Sequence, residues 1–324
     1  MCRISIKLDI KDRKILYELE LNARIHELEL AKKVRLSREV IRYRLEKLQE
    51  RGIIRSYNTI VNSMNLGYLM YRTYFKFINL NKEKETEIIH YLTEKVNWIT
   101  KVEGKWNLST MIFTKSVYDY EQFINEFHRI YGNYIQNYQV STMTKLWHYK
   151  RGYLLDRKES GNILLTANSK EISQIDDTDK KILTNIISDA RIKYVDLAKK
   201  LGINEKLIRD RIKKMIDKKI ILGFTTFLDL NKLEKLYFKV NFNLKNCAEV
   251  DFKRLLSYAE NHPDIIYVIE AVGGDDFEIE VQVDNNNQLY KIIEEIRQTF
   301  SEIIFDYYFM EYTKEYKFDY LPRI

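Results

Sequence analysis

The residues best suited to chemistry in this sequence lie in two basic segments, and the chemistry is contact with phosphates and base edges. In SREVIRYRLEKLQER (37–51), Val40, Leu45 and Leu48 share one face of a helix. Arg38, Arg42 and Tyr43 point elsewhere, with the two arginines one turn apart. In NEKLIRDRIKKMIDKK (204–219), the residues expected outside the core are Glu205, Lys206, Arg209 and Lys213. Arginine on a helix can give two hydrogen bonds to guanine O6 and N7, or it can hold a phosphate. Arg35, in the turn before the first segment, and Lys47, within it, extend the basic set. Ser37 and Asn204 stand where the two helices begin, and both suit an N-cap and the DNA-facing end. Arg44 and Arg211 admit two roles, a salt bridge to Asp12 or Asp179, or a DNA contact. A solvated, lysine-rich surface is the plainer alternative for both segments.

No catalytic or metal centre is expected. The five histidines are scattered without ligand spacing, and there is no GxGxxG fingerprint or phosphate loop. Cys2 and Cys247 are too few for a disulfide framework or a four-ligand zinc site, which suggests a reducing interior. No apolar run approaches the ~18 residues of a membrane span. The beginning MCRISIKLDIKD lacks an apolar signal core, so a cytoplasmic location is expected. YRTYFKF (71–77) interleaves aromatic and basic residues, but a core strand explains it better than a single-strand platform.

Charge is unevenly placed. Residues 1–66 carry 15 Lys/Arg against 9 Asp/Glu, and residues 170–233 carry 15 against 10. Residues 234–324 carry 10 against 18. A basic excess concentrated in two segments, with a smaller one of 11 against 8 over residues 67–150, is the electrostatic footprint of nucleic-acid binding.

The elements that position these residues come twice. LDIKDRKIL (8–16) and IDDTDKKIL (175–183) align, and the same offset superposes Arg24 on Arg191, Arg42 on Arg209 and Arg44 on Arg211. Apolar residues at Ile15, Leu16, Leu19, Leu28, Leu30, Val40, Ile41, Leu45 and Leu48 have helical spacing. Copy two matches with Ile182, Leu183, Ile186, Val195, Leu197, Leu207, Ile208, Ile212 and Met215. Three short helices per copy follow, the last one basic: a helix-turn-helix whose third helix suits the major groove. After each comes a strand, a helix, two strands, a helix and a strand, the βαββαβ order of a ferredoxin-like unit. The expected fold class is therefore α+β. Helix-turn-helix (winged-helix-like) domains at 1–66 and 175–233 alternate with βαββαβ domains at 67–150 and 234–324, and 151–174 is a linker.

LDIKDRKIL…NARI…ELAKKVRLSREVIRYRLEKLQERGIIRSY resembles the DNA-binding domain of the Lrp/AsnC, or feast/famine, transcription regulators. DARIKYVDLAKKLGINEKLIRDRIKKMIDKKIILGF resembles it again, and both βαββαβ parts look like that family's RAM (regulation of amino-acid metabolism) domain. The resemblance implies a sequence-specific regulator bound to double-stranded DNA, acting without a cofactor and with an amino acid as effector. Ordinary members carry one unit and dimerise through their sheets. Two units in one chain imply an intramolecular pseudo-dimer, a homo-oligomer, or both. The family's effector loop would correspond to Gly273, Gly274, Asp275 and Asp276, whereas copy one reads Gly104-Lys105-Trp106-Asn107. A tight turn without ligand is the alternative for both loops. The family's usual Gly before the third helix is kept as Gly202, but Arg35 stands there in copy one. Arg38 faces Glu205 and Tyr43 faces Asp210, so the two third helices are not identical and an asymmetric operator with two unlike half-sites is expected. Sirohaem decarboxylases resemble the same family and use paired or fused units, so an enzyme is one alternative. An effector-binding protein without DNA binding is another.

Overall fold

The computed structural model describes residues 8–156, 162–166, 172–319 and 321–322. Its first three helices are α1 (Ile10–Leu19), α2 (Glu27–Val34) and α3 (Arg38–Glu50), followed by strand β1 (Ile54–Val61). Then come β2 (Leu69–Phe77), α4 (Lys82–Lys95), β3 (Trp98–Gly104), β4 (Leu108–Thr114), α5 (Val117–Tyr131) and β5 (Ile135–Tyr149). A short strand, β6 (Asn162–Thr166), precedes the second copy. That copy repeats the order with α6 (Asp177–Ile186), α7 (Tyr194–Leu201), α8 (Glu205–Asp217) and β7 (Ile221–Leu228). It ends with β8 (Leu236–Leu244), α9 (Glu249–Asn261), β9 (Ile265–Val272), β10 (Phe277–Val283), α10 (Asn286–Thr299) and β11 (Ile304–Phe318).

The βαββαβ order expected for each sheet domain is present, and the two sheets join edge to edge. Strands run β2-β4-β3-β11-β8-β10-β9-β5, and β5 pairs back onto β2, so eight antiparallel strands close a ring. The seams between copies are β3 with β11 and β5 with β9. Helices α4 and α5 pack on the outside of β2–β4 through Phe75, Leu92, Ile99 and Phe127. Helices α9 and α10 pack outside β8–β10 through Phe242, Leu255, Ile279 and Ile293. The alternate side chains of these strands therefore point into the barrel, as the two-residue strand period requires.

Inside it lies a charged cluster. Arg72 on β2 meets Glu278 on β10 across the two copies, and Lys239 on β8 reaches Glu278 at 2.8 Å and Glu280 at 3.3 Å. Arg72, Glu278 and Lys239 are 3%, 1% and 0% exposed. The hydroxyls of Tyr237 and Tyr312 also donate to Glu280.

The apolar stripes of the helical domains are shifted at single positions from the expectation. Val40 is 38% exposed, whereas Ile41 is fully buried with Leu45 and Leu48. Ile41, Leu45 and Leu48 step by four and three, so their neighbour Val40 is turned about 100° away. Leu28, Val195 and Leu207 are likewise exposed. The segment expected as a linker is bound to the fold where it is described. Arg151 and Tyr153 are buried and both donate to Gln282, at 2.9 and 2.6 Å, and β6 adds an outer strand to β5. Arg151 and His148 also meet the buried carboxylate of Glu20, the C-cap of α1, which ties the first helical domain to the barrel. Ile187 holds the corresponding place in copy two, so the second helical domain has no such tie there.

Candidate nucleic-acid interface

Each third helix starts where the capping residue predicts. Ser37 Oγ accepts from the Val40 amide at 3.3 Å, and Asn204 Oδ1 accepts from the Lys206 amide at 2.7 Å. The turn before α8 passes through Gly202 in the left-handed region at φ 67°, and Arg35 takes the same conformation at φ 58° before α3. A side chain there costs about 1 kcal/mol relative to glycine.

On α3, Arg38, Arg42, Tyr43 and Lys47 are all exposed. Arg38 Nε and Arg42 NH2 each donate to the same Glu27 oxygen at 3.0 Å. Burial raises the Glu27 pKa, but the two guanidiniums outweigh it and hold the carboxyl below its usual range. Exposed pairs of this kind contribute at most about 1 kcal/mol, so Glu27 aligns the two arginines without withholding them from a phosphate or base. In copy two, Tyr194 stands in place of Glu27. Arg209 lies over its ring at 4.9 Å and pairs with Glu205 at 2.6 Å. Lys206 and Lys213 are exposed on the same helix. Lys47 pairs with Glu50 at 2.7 Å.

Of the two roles open to Arg44 and Arg211, the salt bridge is present. Arg44 NH1 lies 2.7 Å from both Asp9 and Asp12. Arg211 meets Asp176 and, at 3.3 Å, Asp179. Both side chains are about a quarter exposed and pin the third helix to the N-terminus of the first.

Sequence reasoning missed what holds the two readers together. Strands β1 and β7 pair antiparallel, from Ile54 opposite Leu228 to Val61 opposite Ile221, forming a ribbon between the helical domains. Arg24 donates to the carbonyls of Ala190 and Ile192, and Arg191 donates to those of Ala23 and Ile25, a reciprocal exchange. The repeat offset had superposed Arg24 on Arg191, but a one-dimensional alignment carries no partner.

The loop expected to hold an effector is a turn seated on the other copy. Gly273 and Gly274 have φ 77° and 85°, and a Cβ on Gly273 would meet the Val140 carbonyl at 3.2 Å. Asp275 accepts from the Tyr308 hydroxyl at 2.6 Å and from Gln139 Nε2 at 3.2 Å. Its carboxyl is pushed up by burial and by the nearby Glu278 charge, against these two hydrogen bonds. Asp276 accepts from the Leu244 amide at 2.7 Å. All four residues thus have structural work in the turn. In copy one, Trp106 is buried opposite Tyr308, and Lys105 lies 4.0 Å from that ring's centroid.

Among the described residues no three His, Cys, Asp or Glu side chains are grouped to hold a metal ion, and no helix is long and apolar enough to cross a membrane.

A family described as winged helix-turn-helix DNA-binding matches residues 8–55 and again 175–221. The chain is 37% identical over 116 residues to the HTH-type transcriptional regulator LrpA of Pyrococcus horikoshii, covering 32% of this chain and 79% of that protein. It is 33% identical over 127 residues to the transcriptional regulator AzlB of Bacillus subtilis, covering 37% of this chain and 79% of that one. A 47% identical stretch of 60 residues in an uncharacterized HTH-type regulator of Pyrococcus furiosus covers 18% of this chain and only 40% of the relative. Among solved structures, the siroheme decarboxylase NirDL aligns over 95% of this chain and 93% of its own, with a TM-score of 0.64 and 14% identity. That likeness is one of fold.

Proposed function

The chain belongs to the Lrp/AsnC family of transcription regulators, and from that premise we propose that it binds DNA in the cytoplasm as a single-chain reader of two unlike half-sites. The observation that carries this reading is the ribbon of β1 and β7, which joins two helix-turn-helix units whose third helices differ at facing positions. Arg38 in one third helix is Glu205 in the other, and Glu27, which starts the preceding helix, is Tyr194. The barrel takes the place that pairing between chains has in single-unit relatives.

Arg38, Arg42 and Arg209 supply the base contacts in this reading, and Arg35, Lys47, Lys206 and Lys213 supply phosphate contacts. Arg44 and Arg211 hold their helices in place. An amino-acid effector at the Gly273–Asp276 turn would have to displace Gln139 and Tyr308 from Asp275.

Selection of bound duplexes from a random pool, followed by a salt titration of the best sequence, tests the reading. An asymmetric motif whose affinity falls steeply with salt is expected. Equal binding to all sequences, or undiminished binding to a symmetrised operator, overturns it. A tetrapyrrole-processing role is supported by fold likeness alone, whereas the DNA reading is supported by the helix-turn-helix relatives and by exposed basic side chains on both third helices. Absorbance near 400 nm on adding a tetrapyrrole, with no DNA binding at low salt, would reverse that preference.

A further inference from the structure

The barrel is only partly filled. Beside the ion cluster lies a chamber of ≈ 440 Å³, within the size range of small-molecule sites. Eight-stranded barrels are just wide enough either to fill with side chains or to hold one small ligand. Its apolar wall comes from Met70, Met111, Met143 and Trp98 of copy one, and its roof includes Val61 and Phe227 from the β1–β7 ribbon. Thioethers are flexible and polarizable, and they adapt to varied apolar shapes.

Arg72 lines this chamber and is 3% exposed. A guanidinium carries five N–H donors and demands acceptors when buried. The NH2 group donates to Glu278 and, at 3.1 Å, to Ser141 Oγ. Among the described residues NH1 reaches only the Met143 sulfur, at 4.0 Å, and Nε has no hydrogen-bond partner. A buried donor without an acceptor is unfavourable, so Nε and the weakly held NH1 are the donors that an oxygen entering the chamber would meet. Neighbouring Glu280 does not supply that oxygen, because it already accepts from Tyr237, Tyr312 and Lys239. Glu315, farther along the lining, accepts from Trp98 Nε1 at 3.1 Å and has Arg55 at 3.8 Å.

We propose that the chamber binds a small apolar molecule bearing one carboxylate, with that carboxylate on Arg72 and the apolar body against the methionines and Trp98. The site is separate from the Gly273–Asp276 turn, needs no amino group on the ligand, and does not depend on the DNA reading.

The test is calorimetric titration of the full chain with three probes sharing one apolar body: 4-phenylbutyrate, 4-phenylbutanol and 4-phenylbutylamine. The carboxylate should bind about tenfold or more tighter than the alcohol, the margin of a charge-assisted hydrogen bond, with the amine weakest. Met111→Trp, which fills the chamber without altering charge, should abolish binding. Arg72→Lys keeps the charge opposite Glu278 but removes the fork, and should erase the preference for the carboxylate. Equal affinity for the alcohol, tighter binding of the amine, no binding of any probe at millimolar concentration, or binding unaffected by Met111→Trp would each overturn the proposal. A chain that selects DNA but ignores all three probes loses only this inference, and one that binds the carboxylate but no DNA loses only the regulator reading.

Discussion

Replacing Glu278 by Gln tests whether the buried cluster holds the two copies together. The substitution keeps the shape and removes the charge. Arg72 then faces at most a neutral amide oxygen in place of the carboxylate, besides Ser141 Oγ and the Met143 sulfur, while Lys239 keeps Glu280 at 3.3 Å. Removing one partner from an ion pair this deeply buried costs about 3–5 kcal/mol, because the remaining charge is uncompensated. With a urea slope of about 2–3 kcal/mol/M, the midpoint should fall by roughly 1–2 M. All three tryptophans, Trp98, Trp106 and Trp147, lie in the barrel strands or their turn, so their fluorescence follows barrel unfolding separately from the helical domains. Replacing Arg72 and Glu278 together by Met should restore stability to within about 1 kcal/mol, since an apolar pair can substitute for a buried ion pair. The pH dependence is signed. Burial raises the Glu278 pKa, but Arg72 and Lys239 outweigh it and leave the folded value below the ordinary 4.5. The stabilisation from its charge is therefore complete above pH 4.5 and is lost as pH falls through the lower folded value. The gap between the parent and Glu278→Gln should close over that interval. A loss under ~1 kcal/mol, a double variant no better than the single one, or a gap indifferent to acid would refute the reasoning.

Three other outcomes follow from the geometry. Arg35→Gly should raise the melting stability of the first helical domain by about 1 kcal/mol, read by far-ultraviolet dichroism, because it relieves a left-handed side chain. Gly104→Ala should destabilise the barrel by more than ~2 kcal/mol, because its Cβ would lie 2.9 Å from the Phe309 carbonyl in the β3–β11 seam at φ 134°. Gly202→Ala, with open space around it, should cost only ~1 kcal/mol, and the two melts should differ accordingly. Arg42→Ala should cost ~1–3 kcal/mol in affinity for one half-site of the selected operator, and Lys206→Ala should weaken all sequences alike and lower the salt slope by about 1, both measured by titrated gel shift.

What was legible in the sequence was local. The caps Ser37 and Asn204, the basic third helices and the βαββαβ order all depend on residues within a few turns of each other. The repeat was legible because its two copies keep the same spacing. What escaped was set by distant partners. Arg72 and Glu278 are 206 residues apart, and no periodicity relates them. Val40 and Ile41 are both apolar neighbours, so composition could not choose between them; only stepping back from Leu45 and Leu48 by four and seven selects Ile41. The Gly273–Asp276 turn was ambiguous for a related reason. Two glycines and an acid suit a ligand, but they equally suit a turn pressed against another strand, and the strand they meet, at Gln139–Ser141, belongs to the other copy.

The same distant pairs show what duplication makes possible. On β10 the inward positions hold Glu278 and Glu280, whereas β4 has Ser109 and Met111 in the corresponding places. Arg72 and Lys239 occupy corresponding places on β2 and β8. Pairing two first domains would bury two arginines with neither glutamate, and pairing two second domains would bury two lysines with four glutamates. Only unlike copies balance, two cations against two carboxylates, and identical chains could not have evolved that division. Moving one carboxylate across the barrel tests whether balance, rather than one particular contact, is what matters. Ser109→Glu with Glu278→Ser keeps the total charge and places the acid beside Arg72, since Met111 and Arg72, and Ser109 and Tyr74, are register partners on β4 and β2. Glu278→Ser alone should lose about 3–5 kcal/mol, and the added Ser109→Glu should recover more than half of it by urea denaturation followed through tryptophan fluorescence. If the pair is as unstable as the single variant, the contact with Arg72 across the copies, not the charge count, specifies which domains join.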